Sequence, residues 1–471
     1  MLPRHGRDTR RVPLDPNLSP EDPLEGLKLT VVTPVADDSL DWLPAAEDSV
    51  SELNRTLQQR GADVDWRLCL DGADLETDPQ VATAVVRWAR QRGVSAARNA
   101  ALTSAEGEWV FPLDADDLLN PHGVAAALSV ASLLRWRLSW LGLNRTLVDG
   151  ERTPHWFGAC QEFQAGALAQ SWTSPFPFHP NSILSTREGI WLAGGWPATA
   201  VNEDLGLALS VSEEGAGMMY PAVATRYRVR PGQQVGHVNY ADDKKVAFEI
   251  IERLLDTRRI HHGRPRVRAP IAGYAFGRER TTEAADGYPL NGVTVGVSLD
   301  SVIRDYVTGF RWWLRKEDDS PLSPGADVPK WDTKDCDLVE THTRAVESGL
   351  NTWLPPVPDA VSGVGALQLA GARVVAYNSL DLPQGCNPFK DLAKWMAAFD
   401  VHFDDVRSTG DTDRGGIDLF IEGSPTETER LRSAGNRVMI FDKPGNHDVH
   451  GPRLMSWNRS LEAIRLALGA L

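Results

Sequence analysis

The chain has 471 residues and a mass of 51.7 kDa, which sets an expectation of about three ordinary domains or two large ones. Hydrophobic residues make up 42% and charged residues 24%, so neither a wholly disordered nor a fibrous chain fits. Asp and Glu number 64 against 49 Lys and Arg, a formal charge of −15; a surface that grips nucleic acid throughout is excluded, because each phosphate contact needs a cation.

Residues 1–26 are charged and proline-rich, with no apolar core of a signal peptide, and read as a flexible lead. Leu27–Thr33 is a short β-rich run stopped by Pro34, hence a buried strand. Ala45–Arg60 reads as a helix ended by Gly61, and Val64–Leu70 as a second strand closed by Asp71 and Gly72. Pro79–Arg92 reads as a helix stopped by Gly93, and Ser95 opens another through Ala105. Glu108–Leu113 is a third strand that runs into a cluster of aspartates. This alternation predicts a mainly parallel α/β sheet, whose ligands sit beyond the carboxyl ends of the strands. Asp71 and Asp114 fall there. The longest apolar run, Gly123–Leu134, is too short to span a bilayer. The four cysteines, Cys69, Cys160, Cys336 and Cys386, have no C-x-x-C spacing, so a reducing cytoplasm is the expected location.

From 27 to 245 the pattern is one α/β domain, and residues 246–290 change character. A charged helix, Asp242–Arg258, leads into a basic run: Arg258, Arg259, His261, His262, Arg264, Arg266 and Arg268. We read this stretch as a connector, either solvated or touching phosphates. A second α/β pattern fills 291–471. Its strands are Val293–Leu299, Arg373–Tyr377, Ile417–Ile421 and Arg437–Phe441, and its helices Val361–Ala370, Leu392–Ala398 and Thr426–Ala434.

The first strand-end cluster is Asp114-Ala115-Asp116-Asp117. Alternate residues of an extended segment face opposite sides, so one carboxylate of D-x-D can meet a metal while the other acts through water or on a sugar hydroxyl. Hard oxygen ligands suit Mn²⁺ or Mg²⁺, which take substrate phosphate oxygens as further ligands. Arg98 opens the preceding helix and brings a fork cation near the cluster. Farther on stand Gly194-Gly195-Trp196 and Asn202-Glu203-Asp204-Leu205. A carboxylate at a helix start is stabilised by the helix dipole; it can also serve as a general base toward an acceptor hydroxyl. Trp156, Trp172, Trp191 and Trp196 either stack on sugars or pack in the core. His155 and His179 are either metal or phosphate contacts or ordinary histidines.

Taken together and in this order, the TVVTPV strand, CLDGADLETD, SAARNAAL…GEWVFPLDADD and GGW…NEDLGL resemble a family-2 glycosyltransferase with a GT-A fold, and Tyr227-Arg228 with Gln233 resembles its closing segment. The resemblance implies a nucleotide-sugar donor, with a UDP-sugar expected, and a divalent metal, Mn²⁺ or Mg²⁺. It implies Thr33, Pro34 and Asp71 along the nucleoside, Arg98 near the diphosphate, Asp114 and Asp116 on the metal, and Asp204 as the base of an inverting displacement. Trp196 and Glu203 are candidate acceptor-site residues. The acceptor stays open among a glycan, a lipid-linked sugar, a protein and a modified nucleic-acid base.

The second half resembles a haloacid-dehalogenase fold of the 5′(3′)-deoxyribonucleotidase type, a Rossmannoid α/β domain, through VTVGVSLDSVIRDY and IDLFIEGSPTETERLRSAGNRVMIFDKPGNHD. Active members carry D-x-D after the first strand, the first Asp being the nucleophile. Here Ser298 stands in the nucleophile position, with Asp300 retained. Ser379 is the candidate phosphate-binding hydroxyl, Arg414 a loose candidate for the usual lysine, and Glu422-Gly423 replaces an acidic pair. The expectation is a domain without ordinary phosphatase activity. A nucleotide phosphohydrolase acting through Asp300 and a non-catalytic nucleotide-binding module are the alternative functions.

Overall fold

The computed structural model describes residues 22–153, 155–170, 172, 176–229, 239–270, 290–314, 336–378, 389, 391–408 and 416–469. Two sheets organise it. The first has nine strands: β1 (Lys28–Val35), β2 (Asp63–Asp71), β3 (Ala82–Trp88), β4 (Trp109–Pro112), β5 (Leu118–Leu119), β6 (Trp140–Leu147), β7 (Gln161–Phe163), β8 (Ile183–Thr186) and β9 (Gly217–Tyr227). Around it lie α1 (Leu43–Gln58), α2 (Val94–Leu102), α3 (Pro121–Leu133), α4 (Ala167–Gln170), α5 (Arg187–Leu192), α6 (Glu203–Glu214) and α7 (Tyr240–His261). The strand order is β3-β2-β1-β4-β8-β6-β9-β5, with β7 on β9. β3, β2, β1 and β4 are mutually parallel, and β8 runs antiparallel to both β4 and β6.

Burial explains the strand sequences. Nearly every residue of β1 and β2 is buried, as expected of parallel strands covered on both faces. The ladder from β1 to β4 ends at Val32. At Pro34 only β2 remains as partner, so the missing proline N–H falls where the sheet has opened. Residues 79–92 differ from the sequence expectation of a helix. They hold β3, a half-buried edge strand in parallel register with β2. The run ATAVVRW is rich in β-branched and aromatic residues, and pairing with a neighbouring strand decides its state.

The second sheet is wholly parallel, in the order β12-β11-β10-β13-β14-β15. Its strands are β10 (Thr294–Ser298), β11 (Arg373–Tyr377), β12 (Asp405–Arg407), β13 (Leu419–Glu422), β14 (Val438–Phe441) and β15 (Arg453–Leu454). Its helices are α8 (Tyr306–Trp313), α9 (Cys336–Glu347), α10 (Ala360–Leu369), α11 (Leu392–Phe399), α12 (Pro425–Ser433) and α13 (Ser460–Leu468). The chain is therefore α/β throughout the described residues.

The two sheets share one apolar core. Residues of α1, α3 and β9 belong to the same buried cluster as residues of β10, α8 and α11. Polar bonds pin the seam. Tyr220 donates its hydroxyl to the Trp353 carbonyl at 2.6 Å, and its ring lies 5.6 Å from that of Phe399. Asn120 accepts from Gly123 N as the cap of α3 and donates Nδ2 to the Ala397 carbonyl at 2.9 Å.

The basic run is not a free stripe. α7 passes through position 246 and buries Ala247, Phe248, Ile251 and Leu255 in the core beneath α5 and α6. Arg259 and Glu213 form a fully buried pair. Arg258 binds Glu214 at 2.9 Å, Arg264 binds Glu213 at 2.7 Å, Arg266 lies 3.9 Å from Asp256, and Arg268 binds Glu252. Arg258, Arg259 and Arg264 fasten this run to α6, whereas Arg266 and Arg268 keep most of their side chains in solvent, as a connector would. Among the described residues no helix is long and apolar enough to cross a membrane.

Candidate active site

The site forms where β1, β2 and β4 end. Asp71 closes β2, and its carboxylate accepts from Arg92 N at 2.6 Å and Gly93 N at 2.8 Å. Gly93 caps α2 at φ 98°, a left-handed conformation that favours glycine. Asp71 is buried and both oxygens are used, so it shapes the loop before α2. Thr33 is likewise buried, and its hydroxyl accepts from Trp66 Nε1 at 2.9 Å. The side chains of Thr33 and Asp71 thus brace the ends of β1 and β2, where the resemblance expects the nucleoside to lie. Pro34 remains partly exposed at the opening.

α2 delivers Arg98 to the centre. Its Nη2 binds Asp114 Oδ1 at 2.6 Å and its Nη1 binds Glu203 Oε1 at 2.8 Å. The guanidinium is 2% exposed. Burial alone would weaken its charge, but Asp114, Glu203 and Asp204 together hold it firmly protonated. One arginine thereby ties the aspartate loop after β4 to the head of α6. Glu203 thus holds Arg98 at the head of α6 through its Oε1. Trp196 is only 2% exposed and lies beneath Arg98, at 5.9 Å from ring centroid to guanidinium. Its ring is core, not an acceptor platform. Among the other tryptophans, Trp172 packs against Phe248 in the core, Trp156 lies under Arg152, and Trp191 is exposed on α5.

The Gly-Gly-Trp turn has a local cause. Gly194 and Gly195 have φ of 76° and 75°. A Cβ on Gly195 would lie 2.3 Å from Asn99 Oδ1. Asn99 clamps the next residue in both directions, donating to the Trp196 carbonyl and accepting its N–H, each at 2.9 Å. The turn then leads to Asn202, left-handed at φ 59°, and into α6.

Asp204 stands in the first turn of α6 and accepts from Leu205 N at 2.7 Å. Burial, then the Glu203 charge, pushes its carboxyl up to about 7, against the pull of Arg98. Asp117 is buried; it accepts from Arg228 N at 2.9 Å and its Oδ2 has no hydrogen-bond partner. Burial and the charges of Asp114 and Asp116 raise it well above the usual carboxylate range. Arg228 also donates Nε to the Asp116 carbonyl at 3.0 Å, so Tyr227-Arg228 closes over the aspartate loop.

Sequence reasoning missed two contributors. Asn181 donates Nδ2 to Asp114 Oδ2 at 2.8 Å, and Arg145 on β6 lies stacked on Tyr227 at 4.1 Å. Their only sequence signal is polarity beside otherwise apolar runs. Among the described residues no group of three or more His, Cys, Asp or Glu gathers as a ready-made metal site. The donor set nevertheless fits a divalent cation that uses one or two carboxylates and completes its shell with phosphates and water. Asp114 and Asp116 are partly exposed, and their charges, which help raise the buried Asp117 carboxyl, mark the negative field a cation would answer.

At the end of β10, Ser298 is fully buried and Asp300 is ion-paired with Arg304, both buried. Glu422 accepts from Gly423 N and Ser424 N at 2.7 Å and from the Tyr377 hydroxyl at 3.0 Å. Ser379 and Arg414, like Gln233, lie outside the described residues.

Residues 77–132 match the model of glycosyl transferase family 2, a span that holds β3, α2, β4, the aspartate loop and most of α3. A putative 5′(3′)-deoxyribonucleotidase of Chlorobaculum tepidum is 22% identical over 184 residues, 37% of this chain and 91% of that protein. Among solved structures, S. aureus TarS 1–349 in complex with UDP-GlcNAc is similar at a TM-score of 0.37 and 14% identity, over 50% of this chain and 73% of that one. The mannosyltransferase PcManGT from Pyrobaculum calidifontis, in complex with GDP-Man and Mn²⁺, is similar at a TM-score of 0.34 and 18% identity, over 53% of this chain and 68% of that one. The family match supports a glycosyltransferase segment around Arg98 and Asp114.

Proposed function

We propose that the first sheet is a GT-A nucleotide-sugar-dependent glycosyltransferase that inverts the anomeric centre, with a UDP-sugar as the leading donor. One observation carries this reading. Arg98 links Asp114 directly to the head of α6, where Asp204 has a carboxyl raised to about 7. A base poised near the working pH is what abstraction of a hydroxyl proton needs.

In this reading Asp204 takes the proton of the acceptor hydroxyl while that oxygen bonds to the anomeric carbon. The bond from the anomeric carbon to the diphosphate breaks, and the nucleoside diphosphate leaves with the electron pair. Arg98 fixes the distance between the two ends of this displacement. Asn181 and Arg98 orient Asp114. Asp114 and Asp116 would hold Mn²⁺ or Mg²⁺, which when bound supplies Lewis-acid stabilisation of the departing phosphate charge.

Asp114→Asn keeps an acceptor for Arg98 but removes the charge. With donors screened in Mn²⁺ or Mg²⁺, it is expected to abolish nucleoside diphosphate release, while circular dichroism stays as in the wild type. Wild-type turnover by this variant would sink the proposal.

The second sheet we infer to be non-catalytic. Asp300 already has Arg304 as its cation, and Ser298 lacks the carboxylate an aspartyl-phosphate requires. Deoxynucleoside monophosphates with Mg²⁺ are expected to release no phosphate; release abolished by Asp300→Asn would refute this.

A further inference from the structure

Beside the aspartate loop stand three groups the proposed reaction does not use. Arg145, His155 and His179 are each partly exposed. The two imidazoles touch edge to face, with centroids 5.4 Å apart. Their hydrogen bonds fix their tautomers. His179 Nδ1 accepts from Asn181 N at 3.3 Å, so its proton is on Nε2. His155 Nδ1 lies 3.0 Å from the Phe176 carbonyl, which can only accept, so His155 carries its proton on Nδ1 and bares a lone pair at Nε2. Burial first, and the Arg145 charge, keep both rings neutral. Neither Nε2 has a hydrogen-bond partner among the described residues, and Arg145 Nε is buried without one.

This set discriminates among ligands. A metal would meet the Arg145 cation and a His179 Nε2 that bears a proton. A phosphate wants donors only and would meet the His155 lone pair. A hydroxyl both donates and accepts, which suits one Nε2 lone pair, one Nε2–H and a guanidinium fork. The position agrees. Asn181 bonds both to His179 and to Asp114, and the charges of Asp117, Asp204 and Asp114 all act on Arg145. The trio thus stands beside the aspartate loop, joined to it through Asn181 and through the field of Asp114, Asp117 and Asp204 on Arg145.

We propose that Arg145, His155 and His179 read the hydroxyls of the transferred sugar and set donor specificity. This rests on the glycosyltransferase reading above. The test compares sugar nucleotides with the bare nucleotide. Binding of UDP-glucose, UDP-N-acetylglucosamine and GDP-mannose, and of UDP and GDP, is measured by calorimetry for the wild type, His155→Phe, His179→Phe and Arg145→Met. Loss of a sugar contact should weaken the preferred sugar nucleotide by about tenfold and leave the nucleoside diphosphate unchanged. In the unmutated protein, ¹⁵N resonances of both Nε2 atoms should shift with the sugar nucleotide and not with the diphosphate. Equal losses for both ligands, or Nε2 shifts that do not distinguish them, would overturn the proposal. If the wild type binds none of the five compounds, the glycosyltransferase reading falls, and this inference with it.

Discussion

Asp204 gives the site its expected pH dependence. Its carboxyl is raised to about 7, from an ordinary value near 3.9. In the proposed reaction transfer needs the carboxylate, so kcat/KM should rise as pH passes through about 7. Stability runs the other way. A carboxyl raised in the folded state favours folding when protonated, and that contribution is lost as pH climbs through its folded value. Asp204→Asn mimics the protonated form. It is expected to cut turnover by about 10²–10⁴, and to raise Tm over the wild type more at pH 8 than at pH 5. A flat pH profile, or a Tm gain confined to acid, would remove Asp204 from this role. At this scale the sequence made Arg98, Asp114 and Asp204 legible, because they sit at strand ends and helix starts in a recognisable order. It did not show that Trp196 is buried or that Glu203 pairs with Arg98, since neither burial nor a partner distant in sequence is visible in a linear motif. Asn181 and Arg145 were illegible for the same reason: their partners lie far off along the chain.

Among the elements, α3 is set by close approach. Gly123 lies in its first turn, and a Cβ there would come within 1.7 Å of the Val223 carbonyl on β9. Gly123→Ala must push α3 off β9 and drag the aspartate loop with it. We expect a loss of about 3 kcal/mol, read by chemical denaturation, together with loss of transfer activity; a neutral substitution would show that the contact yields easily. Most strands and helices were legible from apolar runs and their Gly or Pro stops, and Arg373–Tyr377 agreed to the residue with β11. β3 was not, because a short mixed run at a sheet edge takes its state from its neighbour. α7 was legible as a helix from Asp242 on, but the pairing of the basic run at its end was not. Arg258 and Arg259 look solvated in sequence, yet they close on Glu214 and Glu213, and a charge list alone shows no pairing.

For the whole molecule, the shared core argues against independent halves. Tyr220, α3 and α11 would expose apolar surface if separated, and large exposed apolar patches drive association. A fragment ending at residue 290 is therefore expected to aggregate, whereas the full chain should unfold in one calorimetric transition. A soluble, active fragment would contradict this. Two α/β patterns were legible in the sequence, but their seam was not, since packing between distant segments leaves no local period. The Asn120 side chain carries a further consequence. It caps the helix that follows the aspartates and also bonds to the Ala397 carbonyl in the other half. Neither half can then drift freely through evolutionary time. Substitutions along α11 should be answered by substitutions along α3, so that in related lineages the two helices change as co-varying pairs, and a shuffled copy bearing a foreign partner would be purged.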